Sequence, residues 1–439
     1  MNIRDKFNVP IFYITPDVRR AVGPEKILPD YHIICSCYHP VINVIRGRGG
    51  NVFCLEESGN SPLANSGLML SQEMVQGYIK QKAREKVPNL VFFKPSAKID
   101  LLCKNLGYRK LVNDYPFNEE FENKTNFYAL LKECISESSI PGFIEVLAHT
   151  KWEEIVSRLN TPVVIQFGHG WAGKTTFVVN TKEEFLNLQN KFPDTAVKIN
   201  QYIKGDTYLN NCVVYKDKIL ASPPARQITG IKELSIEPAT TCGRQWVKKP
   251  DINSEQIERI RLLSVQIGLI MSKKSYQGYF GLDFIIEDDS GRIFVSENNA
   301  RFTASSSFFS QIEIGQGRIP LFLYHLASFL DIDIPLQEDS SLFNAAQVDI
   351  RNISPDPVSG RKLGFGVYKI DNLEKISSSD FTDIKEGEIL VNPNFIPDIK
   401  YNQEIAKLEM KENVLNQSGG LLDKYKKVVE KLRETDTRK

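Results

Sequence analysis

Residues 163–179 read VVIQFGHGWAGKTTFVV. Within them Gly168–Thr175, GHGWAGKT, fits the phosphate-binding pattern G-x-x-x-x-G-K-[ST]. That pattern works as a P-loop only when a helix starts at its lysine, because the free N–H groups of the helix N-terminus bind phosphate. After Lys174 come Thr175, Thr176, Val178 and Val179, β-branched residues that favour a strand. The next helix has its own start at Thr181, with Glu184 completing a capping box. The stretch therefore predicts strand, glycine loop, strand: a hairpin over 163–179 rather than a P-loop. Gly168, Gly170 and Gly173 let the backbone approach a phosphate chain closely, and Lys174 adds positive charge. A plain hairpin loop is the alternative reading.

A second hairpin is predicted at Gly278–Arg301, GYFGLDFIIEDDSGRIFVSENNAR, where DDSG marks the turn. A turn centred near Ser290 sets Asp283 opposite Glu297, with Cβ atoms about 5 Å apart. Two facing carboxylates repel unless a cation lies between them. Asn299 and Arg301 share the parity of Glu297 and point the same way while the strand stays regular. Two carboxylates and an amide oxygen suit Mg2+, which takes one or two carboxylates plus substrate phosphates. Arg301 suits bidentate contact with phosphate or carboxylate. The competing reading is a surface hairpin with an Arg301–Glu297 salt bridge, which leaves Asp283 unexplained.

Bulk composition narrows the class. Fifty-five Lys and Arg against fifty-four Asp and Glu give a net charge of +1, no argument for nucleic acid or an anionic membrane. No apolar run approaches the ~20 residues that span a bilayer. The start, MNIRDKFNVP, lacks a signal-peptide core, so a cytoplasmic protein is expected. Seven scattered cysteines make no disulfide framework. Cys35, Cys37 and His39 form C-x-C-x-H, but YHIICSCYHP reads better as a buried strand than as a zinc site. The five histidines show no Ser-His-Asp grouping.

Over the first ~115 residues, apolar runs (VPIFYI, HIICSCY, NVFCL, LVFFKP) alternate with helical stretches, which argues for an open, mostly parallel sheet. FENKTNFYALLKECISESSIPGF, residues 121–143, holds a helix. From there to about Leu330 the chain is strand-rich, and DIDIPLQEDSS reads as a linker. The remainder has short strands and a closing helix, with Leu421, Leu422, Tyr425, Val428, Val429 and Leu432 at helical spacing. The expected division is 1–115, 116–335 with a glycine-loop subdomain at about 150–205, and 336–439.

The two hairpins in this order resemble the ATP-grasp superfamily over roughly Phe121–Leu330. The resemblance is most specific at SENNAR, similar to the family's E-x-N-x-R, with Asn123-Lys124 opening the first helix and KINQYIKGD between the hairpins. It implies an α/β (α+β) fold: an N-terminal open parallel α/β domain, the ATP-grasp domain and a small C-terminal β-rich domain. SPPARQITGIKELSIEP through TCGRQW looks most like the peptide-forming and related carboxylate–amine ligases of the superfamily. The implied activity is ADP-forming amide or peptide synthesis through an acyl phosphate. Small-molecule or peptide carboxylates and amines would be substrates, with ATP and two Mg2+ ions (or Mn2+) required. No nucleic acid or membrane partner is expected, and a homo-oligomer is allowed. A non-catalytic nucleotide-binding module and a phosphotransferase are the alternatives.

Carried over residue by residue, Lys124, Gln166, His169, Gly170 and Lys174 would lie at the phosphates. Asn200, Gln201 and Ile203 would meet adenine, the last two mainly through backbone. Asp283, Glu297 and Asn299 would hold the metal. Arg301, with Lys174, would stabilise the transferring phosphoryl group. Arg226 and Arg244 would grip a substrate carboxylate. The chain departs from the family twice: Gln166 stands where a phosphate-binding lysine is usual, and Asn200 where the hinge is usually acidic.

Overall fold

The apolar runs near the N-terminus form β1 (Ile11–Thr15), β2 (Tyr31–Cys35), β3 (Asn51–Cys54), β4 (Asn89–Phe92) and the short β5 (Arg109–Lys110). In this computed structural model, which describes residues 3–170, 175–237, 240–248, 252–337, 342–358, 363–396 and 398–434, they pair in parallel in the order β3-β2-β1-β4-β5. β1 and β2 are buried along their whole length, as a parallel sheet covered on both faces requires. The predicted helices run over Glu73–Ala83 and Ala97–Leu106. His39 donates from Nε2 to the Pro393 carbonyl at 3.1 Å, and its Nδ1 accepts the Val41 N–H at 3.1 Å. With both nitrogens used inside the fold, C-x-C-x-H is packing chemistry.

The glycine hairpin forms as read. β7 (Val163–Phe167) and β8 (Thr176–Val179) are antiparallel, with Val163 opposite Val179. The next helix, Lys182–Lys191, starts at Thr181 with the expected capping box. β6 (Gly142–Val146) and β9 (Ala196–Gln201) complete a sheet in the order β6-β9-β7-β8.

The third sheet is antiparallel. Its strands are β10 (Gly205–Tyr215), β11 (Lys218–Ala221), β12 (Ala225–Thr229), β13 (Thr241–Trp246), β14 (Gly278–Glu287), β15 (Ile293–Asn299), β16 (Ala345–Arg351), β17 (Gly366–Lys369), β18 (Lys375–Ser377), β19 (Glu388–Pro393) and β20 (Glu404–Met410). The order is β15-β14-β10-β12-β13-β16-β20-β19-β17-β18, with β11 on β10. Strands from either side of the linker thus join one sheet through the β13–β16 pair, and the division into domains stays our proposed one.

One face of this sheet packs Phe280, Leu282 and Phe284 against Ile260, Leu263 and Ile267 of the helix Ser254–Lys273. On the other, Leu209 and Tyr279 join Phe302, Phe322 and Leu326 and the core of the first sheet. The closing helix spans Asp423–Arg433 and buries Tyr425, Val428, Val429 and Leu432, with Leu421 buried just before it. No helix among the described residues is long and apolar enough to cross a membrane.

His325 ties these layers together. Its Nε2 donates to the Leu111 carbonyl at 2.7 Å, and its Nδ1 accepts the Tyr279 N–H at 2.9 Å. Burial lowers its pKa to about 3. A folded pKa below the unfolded value means the neutral form stabilises fully above about pH 6.5, and that contribution falls as pH drops toward 3. The loss is up to about 1.4 kcal/mol per pH unit. His325→Gln should therefore be less stable at pH 7 and show a shallower loss of denaturation midpoint between pH 6 and 4 than wild type.

Candidate active site

Asp283 on β14 faces Glu297 on β15, the expected pair, although the register beside the turn is offset by one residue from a turn centred at Ser290. The next pair is Phe284 with Val295, so Ser296 is an extra residue bulged beside Glu297. Such bulges re-aim neighbouring side chains. Asn299 faces Gly281 and ends β15. Arg301 lies beyond the strand, yet its Nη2 donates to Asn299 Oδ1 at 2.9 Å. Its ion-pair partner is Glu122 rather than Glu297: Arg301 Nε donates to Glu122 Oε1 at 3.1 Å, and Lys94 reaches the same oxygen at 2.9 Å.

Glu297 instead accepts from Lys124 Nζ at 2.7 Å. Asp283 makes no hydrogen bond or ion pair among the described residues. Burial first, then the facing Glu297, push its pKa up to about 7, while Lys124, Arg244 and Arg301 pull it down. An unpaired carboxylate opposite a second carboxylate, with an amide oxygen two residues beyond the second, is a donor set that fits a hard divalent cation.

The start of the glycine loop sits on the start of the helix Lys124–Cys134. Asn123 caps that helix, its Oδ1 accepting the N–H groups of Thr125 at 3.0 Å and Asn126 at 3.3 Å. The Lys124 N–H donates to the Gly168 carbonyl at 2.9 Å. A Cβ at residue 168 would come within 2.8 Å of the Asn123 amide, so close approach requires glycine there. His169 Nε2 stands 3.1 Å from Glu119 Oε2 and 3.3 Å from Asn123 Nδ2. Gly170 has φ +149°, beside Thr175. Gln166 donates from Nε2 to Thr176 Oγ1 at 3.2 Å. Lys174 lies outside the described residues.

On β9, Asn200 is buried and its Oδ1 has no hydrogen-bond partner. Gly142 opposite leaves the space, since a Cβ there would fall 2.4 Å from that oxygen. The Gln201 N–H is committed to the Pro141 carbonyl at 2.9 Å. Ile203 packs with Ile140, Phe294 and Ile285 in a small apolar cluster. Lys198, two residues before Asn200, is 2% exposed. Its Nζ donates to the Ser296 carbonyl at 3.4 Å and lies 5.4 Å from the Tyr128 ring centroid. Burial lowers its pKa to about 8, Glu297 opposing and Lys124 assisting, so it is a cation at pH 7. Sequence reading singled out neither Lys198 nor Glu122.

Arg226 and Arg244 are not brought together. Arg226 faces Gln245 and Gln227 faces Arg244, so the two arginines lie on opposite faces of the sheet. Arg226 is held by Asp206 at 2.8 Å. Arg244 shares the face of Asp283, by way of Leu209, Ala225 and Gln227. It is 5% exposed, makes no hydrogen bond among the described residues, and its Nε is buried without a partner. Gln347 faces it from β16; its Nε2 donates to Glu409 Oε1 at 2.7 Å, while its Oε1 has no partner. Arg244, with its Nε unpaired and the carboxylates of Asp349 and Asp283 acting on it, thus lies across from a residue whose amide oxygen has no partner, on the face of Asp283.

No family model matches the sequence, and no curated protein matches it. Solved structures do. N5-carboxyaminoimidazole synthase from Aspergillus clavatus, in complex with ADP and 5-aminoimidazole ribonucleotide, superposes with TM-score 0.61 at 12% identity, over 96% of this chain and 99% of that one. The biotin carboxylase domain of the Hydrogenobacter thermophilus 2-oxoglutarate carboxylase, with MgADP, ADP and bicarbonate, gives 0.60 at 12%, over 92% and 86%. Campylobacter jejuni biotin carboxylase with β,γ-ATP gives 0.61 at 11%, over 92% and 88%. The chain has the ATP-grasp fold along nearly its whole length, as the two hairpins implied.

Proposed function

We propose that the protein is an ADP-forming ligase that phosphorylates a carboxylate with ATP and joins it to an amine. The observation that carries this reading is the facing pair Asp283 and Glu297, with Lys124 on one side and Arg244, its Nε unpaired, on the same sheet face. Asp283, Glu297 and Asn299 would hold Mg2+, which supplies charge neutralisation on the phosphates when bound. Lys124, which holds Glu297 in the free protein, would turn to phosphate when nucleotide binds. Asn200 Oδ1 offers an acceptor to the adenine amino group, in the space that Gly142 leaves. Arg301, braced by Glu122, faces the phosphoryl group as charge develops on it. Arg244 takes the carboxylate that becomes an acyl phosphate; the amine then attacks its carbonyl carbon and phosphate leaves.

Bicarbonate carries an oxyanion that the same phosphorylation could activate, and one of the neighbours above is complexed with it. A second reading, a nucleotide-binding module without turnover, draws on Gln166 and Asn200 standing where charged groups are usual. A screen of amino acids, short peptides, other carboxylates and bicarbonate, with and without amines, separates these readings. ADP release that needs a carboxylate and an amine, with a product of the summed mass less water, supports the ligase. MgATP binding without turnover on any pair supports the module.

A further inference from the structure

Lys198 is a cation buried to 2% exposure whose hydrogen-bond partner is a peptide carbonyl at 3.4 Å, not an acid. The nearest carboxylate acting on it, Glu297, is already bonded to Lys124. A buried charge without an acid partner is costly, and an anionic ligand relieves that cost. Its place in the fold says which ligand. Lys198 faces Gln166 across the β9–β7 pair, and β7 runs directly into the glycine loop. Two residues along the same face is Asn200 with its unbonded Oδ1. A nucleotide whose base meets Asn200 and whose phosphates run toward the glycine loop passes Lys198 on the way. Register neighbours have Cβ atoms about 5 Å apart, a gap that lysine's flexible four-carbon stem covers.

We infer that Lys198 binds the phosphate chain of the nucleotide, supplying from the adjacent strand the positive charge that Gln166 lacks; this rests on the nucleotide reading above. Gln166 then orders Thr176 and stays neutral, and a second lysine at 166 would crowd the first.

The test is calorimetric titration of MgADP, with adenosine as the phosphate-free control, on wild type, Lys198→Met and Lys198→Met/Gln166→Lys. Lys198→Met should raise the Kd for MgADP about 10–100-fold and leave adenosine unchanged, as loss of a charge-assisted bond to phosphate would. The double variant should recover most of the affinity. Methionine keeps the apolar stem and removes the uncompensated charge, so the melting temperature should hold or rise. An adenosine diphosphopyridoxal probe serves on the wild-type protein, whatever the variants' folding. Its aldehyde condenses with a nearby lysine amine with loss of water, borohydride reduces the imine, and Lys198 should carry the label unless MgADP is present. An unchanged Kd in Lys198→Met, or label confined to other lysines, would overturn the inference while leaving the nucleotide reading intact. A wild-type protein that binds neither MgADP nor MgATP would overturn both.

Discussion

Glu297→Gln should cut MgATP-dependent turnover about 10²–10³-fold, the size of a lost electrostatic contact in phosphoryl transfer. The substitution keeps size and removes one charge from the facing pair. Without nucleotide the effect on the melting temperature should be small, because two changes oppose. Lys124 loses the negative charge of its 2.7 Å partner and keeps only an amide acceptor. Asp283, whose pKa is raised first by burial and then by Glu297, loses the facing charge, ionises more readily and can take over the lysine. The stabilisation that MgATP confers should shrink sharply. Wild-type turnover together with undiminished MgATP stabilisation would place the metal elsewhere.

Arg244→Met should act on a different quantity. We expect the KM for the carboxylate found by the screen to rise about 10²–10³-fold, the order of effect from truncating one partner of a buried charged contact. MgADP affinity should stay within about 2-fold, because Arg244 is assigned to the carboxylate and not to the phosphates. The stability change of the free protein should be modest, because the loss of a buried guanidinium with an unpaired Nε is opposed by the loss of positive charge beside Asp349 and Asp283. A variant that loses MgADP binding and keeps the carboxylate KM would reverse that assignment. Arg226→Met is the internal control: it lies on the opposite face, paired with Asp206, and should leave the carboxylate KM unchanged.

Much of the site was legible because it is local. The DDSG turn announces one hairpin and the alternation beyond it, but the Asp283–Glu297 pair also needs the extra residue at Ser296, because the pairing beside the turn is Phe284 with Val295. The β-branched run after Lys174 and the capping box at Thr181 announce the other. Asn123 before Lys124 announces a helix start, and it caps that helix. What stayed hidden depends on pairing between distant segments. Lys198 matters because β9 lies beside β7, and nothing in KINQYIKGD states which strand is its neighbour. Glu122 holds Arg301 from 179 positions away in the chain. The opposed faces of Arg226 and Arg244 follow from the β12–β13 register, which shifts between Gln227 and Thr229. The bulge at Ser296 leaves no mark on an alternating pattern, and it sits one residue before the metal-binding candidate Glu297.

The central claim is that a carboxylate is phosphorylated here. The direct measurement uses the active carboxylate labelled with ¹⁸O in its carboxyl group, followed by mass spectrometry of the released phosphate after turnover with ATP and amine. Transfer through an acyl phosphate predicts ADP as the nucleotide product and one ¹⁸O atom in each phosphate released. AMP with pyrophosphate, or ADP with phosphate that carries no label, would contradict it.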